Sequence, residues 1–121
     1  MQAPSHRMER LADQIRVEIA TMITEDLSDP RIGFATVTRV ELSADLHLAR
    51  VRVSVLGNES GQQAALEGLN SAAGYVRREL SHRLRLRRAP EVKFFLDHGP
   101  EESVRLEKLL QKLHPQDEGN A

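Results

Sequence analysis

The chain of 121 residues contains no cysteine and no tryptophan, and only 3% of its residues are aromatic. Without cysteine there can be no disulfide, no thiolate nucleophile and no cysteine-ligated zinc site. With so few rings, an RNA platform built mainly on stacked bases is not expected. No apolar run approaches the roughly 18–20 residues of a membrane-spanning helix, and the N-terminus lacks a secretory apolar core. These absences predict a cytoplasmic protein.

Charge is distributed unevenly along the chain, although the formal net charge is only −1. Residues 77–88 hold six arginines and one acid, a formal charge of +5, so the remaining residues together carry −6. Lysine is scarce, with only Lys93, Lys108 and Lys112. Arginine's planar guanidinium suits two-point contacts with phosphate and stacking on bases. The arginine cluster is therefore the first candidate binding feature.

Hydrophobic periodicity predicts a helix and a hairpin in the first half of the chain. Apolar residues at three- and four-residue steps favour a helix with Ser5 as its N-cap, which ends at the Ser-Asp-Pro of residues 28–30. Strands over 34–43 and 46–57 follow, and their short connection indicates an antiparallel pair. The second strand alternates, with one face formed by Ala49, Val51, Val53 and Val55 and the other by Leu48, Arg50, Arg52 and Ser54.

Two further helices and a strand are predicted in the second half. Ser60 and Gln63 have the spacing of a capping box, which indicates a helix start. The apolar stripe that follows runs through Gly74, where we predict a break, because two helices cover a sheet more compactly than one. The alternative is that the small residues there only allow close helix packing. A strand over 91–97 and a short helix over 100–114 complete an α+β domain with helices on one face of a three-stranded sheet.

A helical wheel separates the arginines into groups. With Leu80 facing the core, Arg78, His82 and Arg85 fall on the opposite side. The other arginines either flank the apolar stripe or lie in the following loop: Arg77, Arg83, Arg87 and Arg88. A merely solvated helix face is the competing interpretation. The single sign of the charges favours a polyanion, and nucleic acid fits better than a membrane because no exposed bulky apolar residues accompany the charge.

The residue patterns give no support for catalysis or metal binding. The five histidines have no i, i+3 or i+4 ligand spacing, and neither a P-loop nor a nucleophile-elbow motif occurs. We therefore expect a protein that is not an enzyme and has no metal or cofactor.

Four stretches together resemble a known family. They are "DPR" before the first strand, "VELSADLHLARV" across the hairpin, "AAGYVRREL", and "LRLRRAPEVKFFLD". Over residues 6–112 the chain is similar to the ribosome-binding factor A family, bacterial assembly factors of the small ribosomal subunit. The resemblance implies a type II KH-like fold with the order α-β-β-α-α-β. It also implies an A-x-G kink at Ala72, Ala73 and Gly74, where an ordinary KH domain has its GXXG loop.

The resemblance also implies a function and a set of binding residues. The length predicts a single domain (residues 1–113), the C-terminal sequence predicts a disordered tail (114–121), and we expect a monomer. This domain would bind the free 30S subunit and its 16S rRNA, promote late maturation and 16S rRNA processing, and be important in the cold. No membrane, small-molecule substrate or cofactor is implied. The RNA-binding residues expected are Arg77, Arg78, Arg83, Arg85, Arg87 and Arg88, with Arg7 and Arg10 at the start of the first helix.

Two other functions stay open at this point. A KH-like module could bind RNA or DNA without preference for the ribosome. A protein-docking adaptor could instead present the basic face to an acidic partner.

Overall fold

The computed structural model describes residues 6–99, which begin with a long amphipathic helix. Helix α1 spans His6–Glu25 and buries Ile15, Ile19, Met22 and Ile23. It ends shortly before the predicted stop at 28–30, and the amide of Leu27 still donates to the Met22 carbonyl at 3.0 Å. The predicted N-cap Ser5, the predicted helix over 100–114 and the tail lie outside the described residues.

The predicted hairpin is confirmed. Strands β1 (Ala35–Leu42) and β2 (Leu48–Val55) pair in antiparallel register, with a bulge between Val37 and Arg39. The predicted alternation in β2 also holds, since Ala49, Val51, Val53 and Val55 are buried. Because β-strand side chains point alternately to opposite faces, Arg50 and Arg52 lie on the face away from the core.

The second helix begins earlier than predicted. Helix α2 spans Glu59–Ser71, and its N-cap is Asn58, whose side-chain oxygen accepts the Gly61 amide at 2.8 Å. The capping box of Ser60 and Gln63 is therefore wrong. Asparagine caps helices as well as serine does, and Asn58 lies at the point where the chain leaves its extended conformation.

The predicted break between two helices exists, but it lies at Ala72 and not at Gly74. Helix α3 spans Ala73–Arg83, so Gly74 belongs to its first turn. Ala72 has φ −90° and ψ 0°, and its amide donates to the Gly68 and Leu69 carbonyls. The kink thus needs only an ordinary right-handed conformation, which alanine adopts without glycine's freedom.

Strand β3 (Glu91–Leu96) pairs in parallel with β2, giving the sheet order β1-β2-β3. Helices α2 and α3 form the crossover that two parallel strands require. All three helices pack on one face, which confirms the α-β-β-α-α-β order and the two-layer α+β fold. The largest fully buried side chains are Phe94, Ile15, Ile19, Met22, Leu69, Leu80, Val51, Val53 and Val76.

Candidate nucleic-acid interface

Helix α3 places its leucine stripe against the sheet and its cations in solvent. Val76 and Leu80 are fully buried, which orients the helix about its axis. Arg78 and His82 are exposed on the other side, as the wheel predicted. Within residues 6–99, no carboxylate lies within 4 Å of the Arg78 guanidinium to neutralise it.

Arg83 has a different environment. Its guanidinium contacts the carboxylates of Glu79 at 3.1 Å and Glu18 at 3.7 Å, and it donates a short hydrogen bond to Asp26. The bond to Asp26 is the largest influence that raises the pKa of Arg83 above its ordinary value. Asp26 also accepts the Tyr75 hydroxyl at 3.0 Å. Arg83 therefore joins α3 to the end of α1, and its charge is offset by three acids.

Arg77 is partly committed to the fold. Its Nε donates to the Ala89 carbonyl at 3.0 Å, which ties α3 to the start of β3. The residue is exposed, so its guanidinium still reaches solvent. Ala89 itself is buried, and the bond therefore fixes the loop between α3 and β3 at its inner end.

The structure corrects the position of Arg85. Helix α3 ends at Arg83, so Arg85 lies beyond the helix and not on its outer face. Its φ of 53° is left-handed, and the Leu86 amide donates to the Ser81 carbonyl at 2.9 Å. This is the Schellman arrangement, in which glycine usually occupies the left-handed position. The seryl hydroxyl of Ser81 also donates to the Leu86 carbonyl at 2.8 Å, which fixes the turn.

The turn that follows α3 presents three arginines without neutralising partners. Arg85, Arg87 and Arg88 are exposed, and no carboxylate of residues 6–99 approaches their guanidinium groups within ion-pair distance. The partly buried Leu86 packs against the core and anchors the segment between them. We call residues 85–88 the arginine turn.

The structure brings the start of α1 next to the arginine turn. Arg7 and Arg10 line one groove together with Leu11, Gln14 and Leu86. Both arginines are exposed, and neither forms an ion pair with another described residue. Two cations that are more than 70 positions earlier in the sequence thus share a groove with Leu86 of the arginine turn.

The kink at 72–74 lies beside a groove that is not basic. Asp26, Asp29, Gly68 and Tyr75 line this groove together with Ala72. Asp29 is neutralised by Arg31, whose Nη2 lies 2.7 Å from the carboxylate, and the Arg31 hydrogen bonds lower the pKa of Asp29. The arginine turn therefore lies away from the kink, beyond the C-terminal end of α3.

The described residues show no arrangement suited to metal binding. Within 6–99, no three histidine or acidic side chains come together as a possible ligand set. Over the same residues, none of the helices has the length and apolar character needed to cross a bilayer.

Comparison with known proteins gives consistent matches. The sequence profile described as ribosome-binding factor A matches residues 7–110. A ribosome-binding factor A from Thermomicrobium roseum is 46% identical over 110 residues, which cover 91% of this chain and 85% of that protein. The one from Desulforamulus reducens is 42% identical over 113 residues, 93% of this chain and 94% of that protein.

Solved structures agree with the sequence comparisons. The crystal structure of ribosome-binding factor A from Thermus thermophilus is 32% identical, with a TM-score of 0.68 over 77% of this chain and 99% of that one. A homology model of the Thermus thermophilus protein, fitted into the cryo-EM map of its complex with the 30S subunit, is 33% identical. Its TM-score is 0.59 over 69% of this chain and 88% of that one.

Proposed function

This chain belongs to the ribosome-binding factor A family, and from that premise we propose that it binds the free 30S ribosomal subunit and contacts 16S rRNA. In this role it promotes late 30S maturation, including 16S rRNA processing, and is important for growth in the cold. The fitted complex of the Thermus thermophilus relative supports the partner. We further propose that the chain acts as a cytoplasmic monomer without catalysis or cofactor.

The observation that carries this proposal is the set of arginines that lack acidic partners. Like charges placed together cost free energy unless something offsets them, and within residues 6–99 no carboxylate does so at Arg78 or the arginine turn. Closely spaced guanidinium groups fit the regular negative charge of an RNA backbone. We propose that the direct phosphate contacts are made by Arg7, Arg10, Arg78, Arg85, Arg87 and Arg88.

We assign Arg77 and Arg83 a positioning role. Their hydrogen bonds to Ala89 and Asp26 hold α3 and the following loop in place. They would affect RNA binding mainly by orienting the segment that carries the free cations. The kink residues 72–74 then set the direction of α3 relative to α2.

Co-sedimentation on a sucrose gradient tests the proposal. We expect the full chain to travel with free 30S subunits and poorly with complete ribosomes. Equal binding to any RNA of similar length would indicate a general KH-like module. Absence of RNA binding at low salt, with capture of an acidic protein, would indicate an adaptor.

Substitution of one free arginine and one paired arginine makes the test specific. Arg78→Gln should weaken binding to the subunit and lower the salt dependence of binding by roughly 0.7–0.9 for each phosphate that is no longer bound. Arg16→Gln is the matched control, because Arg16 also lies on a helix but pairs with Asp13 at 3.5 Å. If the two variants bind the subunit with equal affinity, Arg78 is only a solvated surface residue.

A further inference from the structure

The sheet face opposite the helices carries a second set of cations. Arg50 lies beside Lys93 in the register of β2 and β3, and Arg52 lies beside Phe95. These four residues, which we call the outer-face patch, alternate along their strands with buried Val51, Val53, Val92 and Phe94. The patch therefore projects away from the core, on a face that none of the described helices covers.

The outer-face patch has more positive charge than its neighbours can offset. The carboxylate of Glu41 is shared between Arg52 at 3.1 Å and Arg39 at 3.4 Å. Arg50 and Lys93 are not buried, and within residues 6–99 neither has a carboxylate at ion-pair distance. Four cations thus face one acid across the middle of the sheet.

Two acids at the ends of the patch offset part of its charge. Glu91 lies next to Leu48, two positions before Lys93 on the same strand. Asp97, at the other end, accepts the Thr38 hydroxyl at 2.6 Å and the Gly99 amide at 2.9 Å. The charge of Asp97 also acts on Arg52 and Arg39, so the cations without a nearby carboxylate are Arg50 and Lys93.

An aromatic ring lies among these cations. The Arg52 guanidinium carbon is 5.7 Å from the centroid of the Phe95 ring, a cation–π distance. Phe95 is 37% exposed and is not one of the residues that form the hydrophobic core. An exposed ring next to free cations is the combination that binds an unpaired base and its phosphates.

We infer that the outer-face patch is a second RNA contact that binds a single-stranded segment. One base stacks on Phe95, and the phosphate on one side of it lies against Arg50 and Lys93, which are neighbours across β2 and β3. Lys93 and Phe95 are two positions apart on β3, about 6.7 Å along the strand, so a base on Phe95 and the next phosphate on Lys93 fit an extended strand. A duplex does not fit, because its bases are already stacked on one another. The inference rests on the proposed function only for the ribosomal origin of the RNA.

Binding of a labelled oligouridylate of about 12 nucleotides by the full chain tests the inference, with an RNA duplex of the same length for comparison. Phe95→Leu keeps an apolar side chain on the strand but removes the stacking surface. It should lower the affinity for the single strand about fivefold or more and leave duplex binding unchanged. Arg50→Gln and Lys93→Gln should each reduce the salt slope by roughly 0.7.

Matched controls remove the same chemical groups at other places. Phe34→Leu changes a ring that is 80% exposed but outside the patch, and Arg16→Gln removes a helical charge. Both should bind the oligonucleotide like the unaltered chain. Circular dichroism and thermal unfolding of each variant establish that it is folded.

A second readout does not depend on substitution. Oligouridylate containing 5-iodouridine, which crosslinks to stacked aromatic rings under ultraviolet light, should attach to the peptide that holds Phe95. Crosslinking elsewhere, or equal loss of single-strand and duplex binding in Phe95→Leu, overturns the inference. So does displacement of the oligonucleotide by a polyglutamate peptide at lower concentration, which would identify an acidic protein as the occupant. Failure to sediment with 30S subunits, with this binding retained, would reject the proposed function alone.

Discussion

Two helical glycines differ in the space available for a side chain. A Cβ added at Gly74 would meet nothing within 4 Å, whereas one at Gly68 would lie 3.1 Å from the Ile32 side chain and 3.3 Å from Asp29. We therefore expect Gly74→Ala to raise the free energy of unfolding by about 0.4–1 kcal/mol, because alanine reduces the entropy of the unfolded chain. Gly68→Ala should gain less or lose stability. Urea unfolding of both variants measures the difference, and a destabilised Gly74→Ala would show that the kink needs glycine.

Arg85 combines a strained backbone with a free charge. A residue other than glycine in the left-handed region costs roughly 1–2 kcal/mol, and Arg85 occupies that region at the end of α3. Arg85→Gly should therefore be more stable than Arg85→Ala by about 1 kcal/mol, since only glycine removes the strain. Under the proposed function both variants lose RNA affinity equally. If Arg85→Gly binds RNA like the unaltered chain, the arginine at this position has no role in binding.

At the scale of elements, Arg83 joins α3 to α1 through Asp26 and Glu18. Arg83→Gln should lower the thermal midpoint, because these acids then face each other without their cation. Arg78→Gln, on the exposed side of the same helix, should leave the midpoint nearly unchanged while weakening RNA binding. Thermal unfolding followed by circular dichroism separates these two effects. Equal midpoints in the two variants would show that the contacts of Arg83 do not stabilise the helix pair.

The elements themselves could be predicted because their signals are local. Alternation in β2 and the apolar stripe through Leu80 depend on neighbours a few positions away, and both held in the structure. The end of α3 at Arg83 could not be predicted in the same way, because no glycine marks the left-handed residue that follows. The capping box at Ser60 was wrong because Asn58 is an equally good cap two positions earlier.

The candidate site was less predictable than the fold. Residues 77–88 read as one run of arginines, yet Arg83 is paired with an acid 57 positions away. Such long-range pairing leaves no local trace in the sequence. The proximity of Arg10 to Leu86 likewise depends on how α1 packs against the end of α3. Which arginines are free is therefore a property of the packed molecule and not of the charge run.

On the scale of the whole molecule, three aspartates in different loops accept hydrogen bonds, and the pKa of each is lowered below its ordinary value. Asp29 precedes β1, Asp45 lies in the hairpin turn and Asp97 follows β3. The largest cause in each case is a side-chain hydrogen bond, which comes respectively from Arg31, His47 and Thr38. These bonds stabilise the ionised carboxylates, so the folded protein releases these protons more readily than the unfolded chain does.

Stability should therefore depend on pH in the acid range. A carboxyl whose pKa is lowered by folding contributes stability that is present above its unfolded pKa of about 3.9 and is lost as the pH falls through the folded value. We expect the contribution of the aspartates to the free energy of unfolding to be level above a pH of about 5 and to decline below about 4.

The free energy of unfolding of Asp97→Asn should decline less steeply as the pH falls, and at the acid end it should equal that of the unaltered chain. Denaturant unfolding from about pH 7 to about pH 2 measures this, and Asp13→Asn separates loss of one exposed charge from loss of the hydrogen bond to Thr38. Parallel curves for Asp97→Asn and the unaltered chain would mean that the contact between Thr38 and Asp97 does not tie the end of β3 to β1 across β2.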